Sequence, residues 1–335
     1  MHQIICSRQH SLLSYPSYAK GFLLHKIRRK LAFFTLNLFR LMLPDSIARK
    51  KLPGIIESIN PQDRDYIFDR VNYYNKLEDC VGLNSDFISI KEFKSLKKSL
   101  YFLDLYQYLR FFPDTKKVAY LFGDIRDVPE VPSLLKSRPI SSDNQNSVLI
   151  NLDKLRHFLF IDDPYQFADK MGAAVWRGAA YQTHRKDFVH RFYNHHLCNV
   201  GQTNKPSELT PWQKPRMTIE EQLRYKYIIS IEGFDVASNL KWIMSSNSVA
   251  IMPNPKFETW FMEGRLIPDY HYISVKDDFS DLESKIRFYN ENPEKALEII
   301  RNAHEYISQF RNKEREDLIA LLVLTKYFQK SGQMQ

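Results

Sequence analysis

The stretch Lys226–Phe261, KYIISIEGFDVASNLKWIMSSNSVAIMPNPKFETWF, constrains the fold more than any other part of the chain. Tyr227-Ile228-Ile229-Ser230-Ile231 is an apolar, β-branched run that reads as a buried strand. Gly233 breaks it. Ala237, Leu240, Ile243 and Met244 then recur at helical spacing, and a second apolar run, Val249 to Met252, ends at Pro253. Strand, glycine turn, helix and strand together match a parallel crossover unit. In such a unit the strand's C-terminal end and the helix's N-terminus open onto one crevice, where ligands bind. The free N–H groups and dipole of the helix start suit a phosphate there. Asp235, Ser238, Asn239 and Lys241 sit near the turn; Ser238 and Asn239 can donate to an anion and Lys241 can neutralise one. An ordinary βαβ unit with a capped helix has the same pattern.

Length and charge narrow the class without choosing a function. The 335 residues suit one large domain or two ordinary ones. Hydrophobic residues at 44% and charged ones at 26% fit a globular protein with a substantial core. A formal charge of +9 points to an anionic partner: nucleic acid, an acidic membrane surface or a phosphorylated substrate. Nucleic acid is the weakest of these, because there is no RNP motif and no zinc-finger spacing. Cys6, Cys80 and Cys198 are sparse and odd in number, which fits a reducing cytosol better than a disulfide framework. No signal-peptide pattern is evident, and no apolar run approaches the ~20 residues needed to span a bilayer.

Residues 20–43 read as a helix ending before Pro44, with Leu24, Ile27, Leu31, Phe34, Leu38 and Leu41 at three- and four-residue steps. Lys26, Arg28, Arg29, Lys30 and Arg40 make it basic, and Arg49, Lys50 and Lys51 extend the cluster. Such a helix either lies on an anionic leaflet or packs on its own domain. Asn60-Pro61 starts the next helix. Asp63-Arg64-Asp65 is formally a DxD, but it opens that helix, where the dipole favours acidic residues anyway. Leu100–Tyr108 and Lys117–Phe122 alternate loosely and are expected to include strands, as are Ser147–Leu152 and His157–Ile161. Ala173–Trp176 is a further strand running into Arg177-Gly178, and Thr183 starts a helix. This second strand–glycine–helix junction brings Arg177 and Arg185 to one end of it. His271–Val275 is expected as a strand, Ser280-x-x-Glu283 as a capping box, and helices start at Asn292-Pro293 and run over Asp317–Gln329. Alternating strands and helices in the second half suggest a doubly wound sheet.

The wording of the central stretch, EGFDVASNLKWIMSSNSVAIMP followed by ETWFMEG, closely resembles the signature of glycosyltransferase family 90. That family includes protein O-glucosyltransferases, fungal capsule-associated proteins and bacterial lipopolysaccharide glycosyltransferases, and the form here looks most like the last. The resemblance covers roughly residues 117–311 and is strongest over 226–285. It implies an α/β fold with two Rossmann-like lobes of the GT-B type. The divisions expected are a basic helical extension (1–60), an acceptor-side lobe (61–165) and a nucleotide-sugar lobe with C-terminal helices (166–335).

It also implies an inverting transfer of a hexose from a UDP-sugar to a lipopolysaccharide or lipooligosaccharide core. Trp176-Arg177-Gly178 and Arg185 match the family's donor-contacting segment, and Lys241 matches the Lys of its glycine segment; Asn239 stands where eukaryotic members carry Arg. Gly178, Gly233, Ser238 and Glu258 complete the expected donor set, Glu258 as an acceptor for ribose hydroxyls or as a surface residue. Arg126-Asp127-Val128-Pro129 resembles the family's Arg-Asp-x-Pro. Asp127, in a loop stiffened by Pro129 and Pro132, is the first candidate for the base, and Asp143 is the rival. Each carboxylate can equally bind an acceptor sugar without chemistry.

No metal or other cofactor is expected, because arginines and a helix N-terminus can stabilise the departing phosphate. His190, His195, His196 and Cys198 match no common zinc spacing and read as helix-face and cap residues. A cytoplasmic protein, peripheral on the inner face of a bacterial cytoplasmic membrane, is the implied setting. The competing class is a non-catalytic module for anionic glycans or membranes; a kinase or ligase lacks its Walker A motif.

Overall fold

The computed structural model describes residues 17–204 and 210–334, with side chains from residue 27 onward. The chain opens with α1 (Ser17–Met42) and α2 (Asp45–Glu57), which meet at a 104° bend. Pro44 causes the break: it precedes α2 with an extended backbone (φ −58°, ψ 134°) and cannot continue α1's hydrogen bonding. No single described helix is long and apolar enough to cross a membrane, although this bent pair passes that test when taken together. Asn60 starts the next segment as expected: its side chain accepts from Gln62 N at 3.0 Å, Pro61 follows, and α3 (Arg64–Tyr74) continues.

The first half then runs β1 (Ile88–Ser89), α4 (Ile90–Lys94), α5 (Leu100–Leu109), β2 (Lys117–Leu121), β3 (Ser133–Leu135), β4 (Ser137–Pro139), β5 (Ser147–Leu149) and α6 (Lys154–His157). Residues 100–108, expected to be a strand, form a helix. Ser99 Oγ accepts from Phe102 N at 3.1 Å, and every residue from Phe102 to Leu109 is buried. A helix apolar on all sides has no stripe, so its pattern cannot be told from a buried strand. Residues 157–161 are likewise no strand: α6 ends at His157 and an irregular segment follows.

The second half contains β6 (Met171–Gly178), α7 (Thr183–Phe192), β7 (Cys198–Gln202), α8 (Ile219–Gln222), β8 (Tyr225–Ile229), α9 (Leu240–Met244), β9 (Val249–Met252), β10 (Phe257–Thr259), β11 (Ile273–Ser274), α10 (Leu282–Glu291), α11 (Pro293–Ser308) and α12 (Lys313–Lys330). Its five-stranded sheet is wholly parallel, in the order β11-β9-β8-β6-β7. The doubly wound sheet is therefore present, and its strand order reverses between β6 and β8.

Both faces are buried, as a parallel sheet requires. Val175, Ile228 and Ala250 join the core shared with the first half, while Ala174, Trp176, Tyr227, Ile229, Val249 and Ile251 face a second core under α7 and α10. The capping box expected at Ser280 does not form: α10 starts at Leu282 behind Asp281, and the Glu283 carboxylate goes to His195 and Arg287 instead.

A smaller sheet, β1-β2-β3-β5, has β2, β3 and β5 parallel and β1 antiparallel at its edge. The antiparallel pair β4–β10 joins the halves, with Ser137 opposite Thr259. The last helix, α12, packs on α2, α3 and α5, so the end of the chain returns to the first sheet. Arg70 and Glu316 form a buried ion pair between α3 and α12.

Candidate active site

The C-terminal ends of β8 and β9 open onto a cavity of about 290 Å³ at the C-terminal edge of the five-stranded sheet, with His184 of α7 in its lining. Doubly wound sheets bind their ligands at this place. Arg126, His184, Glu232, Gly233, Phe234 and Lys256 are among the residues lining it. Phe234 is half exposed at the cavity. The ends of β2 and β3 come close to it. Lys136, buried after β3, contacts Asp124 Oδ1 at 2.6 Å and Asp235 Oδ2 at 2.7 Å, and Ser137 Oγ donates to Asp235 Oδ2 at 2.6 Å. Burial pulls the Lys136 pKa down, but Asp235 and Asp124 outweigh it and raise the value. This charged knot links the loop after β2 to the turn after β8.

Arg185, in the first turn of α7, clasps that turn from the other side. Its Nε donates to Glu232 O at 2.9 Å, Nη1 to Ala179 O at 3.0 Å and Nη2 to Ile231 O at 2.6 Å. All these acceptors are neutral carbonyls, and among the described residues no carboxylate lies within ion-pair distance. Burial first, then the neighbouring Arg156, lower its pKa to about 10, so it is charged at neutral pH. A Cβ on Gly233 would stand 3.2 Å from Arg185 Nη2, which explains the glycine. No side chain caps the first turn of α7, and His184 Nε2 sits 2.9 Å from Glu232 O. An uncapped helix start beside an arginine that has no carboxylate among the described residues leaves N–H groups and positive charge free for an anion.

Glu232 was not singled out from sequence, although its place directly before Gly233 at a strand end was a signal. Its Oε1 accepts from Lys256 N at 3.0 Å and Phe257 N at 3.1 Å. Burial raises its pKa to about 7, against those two stabilising bonds. Arg126, which the sequence offers only as part of the Arg-Asp-x-Pro match, and His184, which it does not mark, line the cavity as well.

The expected donor residues divide into two groups. Gly233 lines the cavity, Arg185 backs it through the 231–232 carbonyls, and Ser238 is half-buried nearby in the turn leading to α9. The others are occupied elsewhere. Arg177 points along the sheet to β7, donating to Asn199 O at 2.7 Å, Asn199 Oδ1 at 2.8 Å and Pro215 O at 3.1 Å. Gly178 packs on Trp176, where a Cβ would come within 2.6 Å of the ring. Asn239 ties β8 to α9, donating to Ile229 O at 3.0 Å and accepting from Ser230 Oγ at 3.1 Å.

Lys241 is fully buried and paired with Glu263. Glu258 is buried with Arg138 on one oxygen at 2.7 Å and the Tyr73 hydroxyl on the other, so its carboxylate is turned into the fold and away from the cavity surface. The helix of the central stretch is only five residues, Leu240–Met244.

Asp127 is exposed in the loop after β2, next to Arg126 of the cavity lining, and Asn146 Nδ2 holds that loop through Pro129 O at 3.1 Å and Glu130 O at 2.8 Å. Asp143 is also exposed, but its neighbours Ser142 and Gln145 line a different cavity of about 830 Å³. His195 and His196 approach Glu283, whose carboxylate is also held by Arg287 at 2.6 Å.

An α/β protein with a doubly wound parallel sheet and a crevice at the C-terminal ends of its strands has the architecture of a ligand-binding enzyme. Residues 155–329 match the profile of glycosyl transferase family 90. The chain is 42% identical to O-glucosyltransferase LpsA of Dichelobacter nodosus, over 91% of this chain and 96% of that protein. It is 27% identical to human protein O-glucosyltransferase 3 over 32% of this chain and 21% of that one. Uncharacterized protein 179R of invertebrate iridescent virus 6 is 37% identical over 29% of this chain and 9% of its own length. The chain belongs to glycosyltransferase family 90 and is a glycosyltransferase.

Proposed function

We propose that this glycosyltransferase moves a hexose from a UDP-sugar to the core of a lipopolysaccharide or lipooligosaccharide, with inversion. The observation that carries the proposal is the uncapped start of α7 beside Arg185, at the β6/β8 reversal, with no carboxylate among the described residues within ion-pair distance. The diphosphate sits against that helix start. As the bond from the anomeric carbon to phosphate breaks, its electron pair leaves with UDP. Arg185 and the helix dipole stabilise the growing charge without a metal. Phe234 offers a flat apolar face to a ring. The mixed four-stranded sheet and the parallel five-stranded sheet form the lobes of a GT-B arrangement in this reading.

Arg177, Gly178, Asn239, Lys241 and Glu258 then act on the donor from behind, by shaping the strand ends and turns that face it. The acceptor hydroxyl attacks the anomeric carbon from the opposite side, where the carbon has oxocarbenium character. Its proton passes to Asp127, whose loop borders the cavity through Arg126. The relative named O-glucosyltransferase LpsA supports glucose as the transferred hexose. The enzyme then works on the inner face of a bacterial cytoplasmic membrane.

Transfer by Asp127→Asn and Asp143→Asn, followed by mass with truncated core oligosaccharide and UDP-hexoses, tests the mechanism. Asp127→Asn is expected to lose ~10²–10⁴ in rate with UDP affinity unchanged, and Asp143→Asn to stay active. Loss confined to Asp143→Asn would transfer the role, and full activity of both would remove the base from either.

A further inference from the structure

A helix that packs on its own domain turns its apolar stripe inward and its charges outward. In α1 the arrangement is reversed. Ile27, Leu31, Phe34, Leu38 and Met42 follow one another at three- and four-residue steps, and they are 53%, 65%, 42%, 62% and 76% exposed. Phe39 and Leu41 widen the exposed band.

The edge turned to the protein carries Phe33 against the core and is otherwise polar. Asn37 is buried, Arg29 Nη2 donates to Phe158 O at 2.8 Å, and Arg40 Nη1 donates to Gln107 Oε1 at 3.0 Å. Arg110 Nη1 donates in turn to Arg40 O at 2.6 Å. These bonds fix the rotation of the helix, so the outward direction of the stripe is a built feature. Single exposed apolar residues are ordinary on a protein surface, but a continuous band of this kind marks an interaction site.

The charges beside the band select its occupant. Arg28 and Lys30 on α1, with Lys50 and Lys51 on α2, are exposed, and no acidic residue precedes Asp45. A second copy of the chain would bring like charges together. An anionic lipid leaflet supplies both an apolar interior and a negative surface.

We propose that the outward face of α1 inserts into an anionic bilayer, lying in the interfacial plane with Leu31, Phe34 and Leu38 among the acyl chains. This deepens the functional reading by giving the enzyme a hydrophobic, salt-resistant hold on the membrane; it rests on that reading only for which membrane is meant.

The test is co-sedimentation of the full chain with vesicles of phosphatidylglycerol and phosphatidylethanolamine at ~0.1 M and ~1 M salt, where the screening length falls from ~10 to ~3 Å. The parent is expected to stay bound at high salt. The triple variant Leu31→Ser, Phe34→Ser, Leu38→Ser should bind about a hundredfold more weakly at either salt, since three buried apolar side chains are lost. Arg28→Gln with Lys30→Gln should weaken binding at low salt only.

Vesicle binding by the triple variant equal to the parent's would overturn the proposal, as would release of the parent by salt alone. A parent that is dimeric without lipid, and made monomeric by the triple variant, would assign the band to a second copy instead. UDP-induced thermal shift is measured on the same samples. Its absence would defeat the donor reading while leaving membrane insertion intact.

Discussion

The two strand–glycine–helix junctions look alike in sequence and differ in structure. At β8/α9 the polar residues are spent on the fold: Asp235 on Lys136 and Ser137, Asn239 on Ile229 and Ser230, and Lys241 on Glu263. Its helix is five residues long. At β6/α7 the helix has ten residues, its first turn is uncapped, and Arg185 donates only to carbonyls. A charge that already has a buried partner stabilises structure and has little left for a ligand. A charge held by neutral groups keeps its field, and burial strengthens that field. The junction most conspicuous in sequence therefore frames the site, and the other one supplies its charge.

The largest effect that could break this contrast is on stability. Lys241→Ala leaves Glu263 buried and unpaired, and is expected to cost about 3–5 kcal/mol in urea unfolding. Lys241→Met combined with Glu263→Leu should recover most of that loss. A Lys241→Ala protein as stable as the parent but unable to bind UDP would reverse the two roles.

Arg185→Ala sharpens the same contrast from the other side. Loss of hydrogen bonds to a charged diphosphate is worth about 1.5–3 kcal/mol, so UDP affinity measured by calorimetry should fall roughly ten- to a hundredfold. Arg185→Lys should recover only part of it, because the fork on the 231–232 carbonyls is lost.

A further effect, spread over a range of pH, concerns Glu232. The folded pKa of Glu232, about 7, lies above its ordinary value of 4.5. The folded state therefore binds the extra proton, and stability falls as pH rises from about 4.5 to about 7. Glu232→Gln should flatten that part of the profile of melting temperature against pH. An unchanged slope in the variant would show that Glu232 is ionised and well solvated in the fold.

The periodicity of β8 and β9, the Asn60-Pro61 start and the crossover between the strands were legible because each depends on neighbours in sequence. What was not legible depends on distant partners. Glu258 reads as a residue free for a ribose until Arg138, 120 positions away, takes one of its oxygens. Lys241 reads as a phosphate ligand until Glu263, 22 positions on, neutralises it. The stripe on α1 was visible at once, but only the bonds of Arg29 and Arg40 to Phe158 and Gln107 show which way it faces. Residues 100–109 failed for a different reason, since uniform burial removes the period that distinguishes helix from strand.

Amide hydrogen exchange with and without saturating UDP tests the central claim most directly, because it reports both junctions in one experiment. UDP should slow exchange at Thr183 to Lys186 and at Ile231 to Gly233, and leave Asn239 to Ile243 as in the free protein. Protection concentrated at Asn239 to Ile243, with none at the start of α7, would contradict the account.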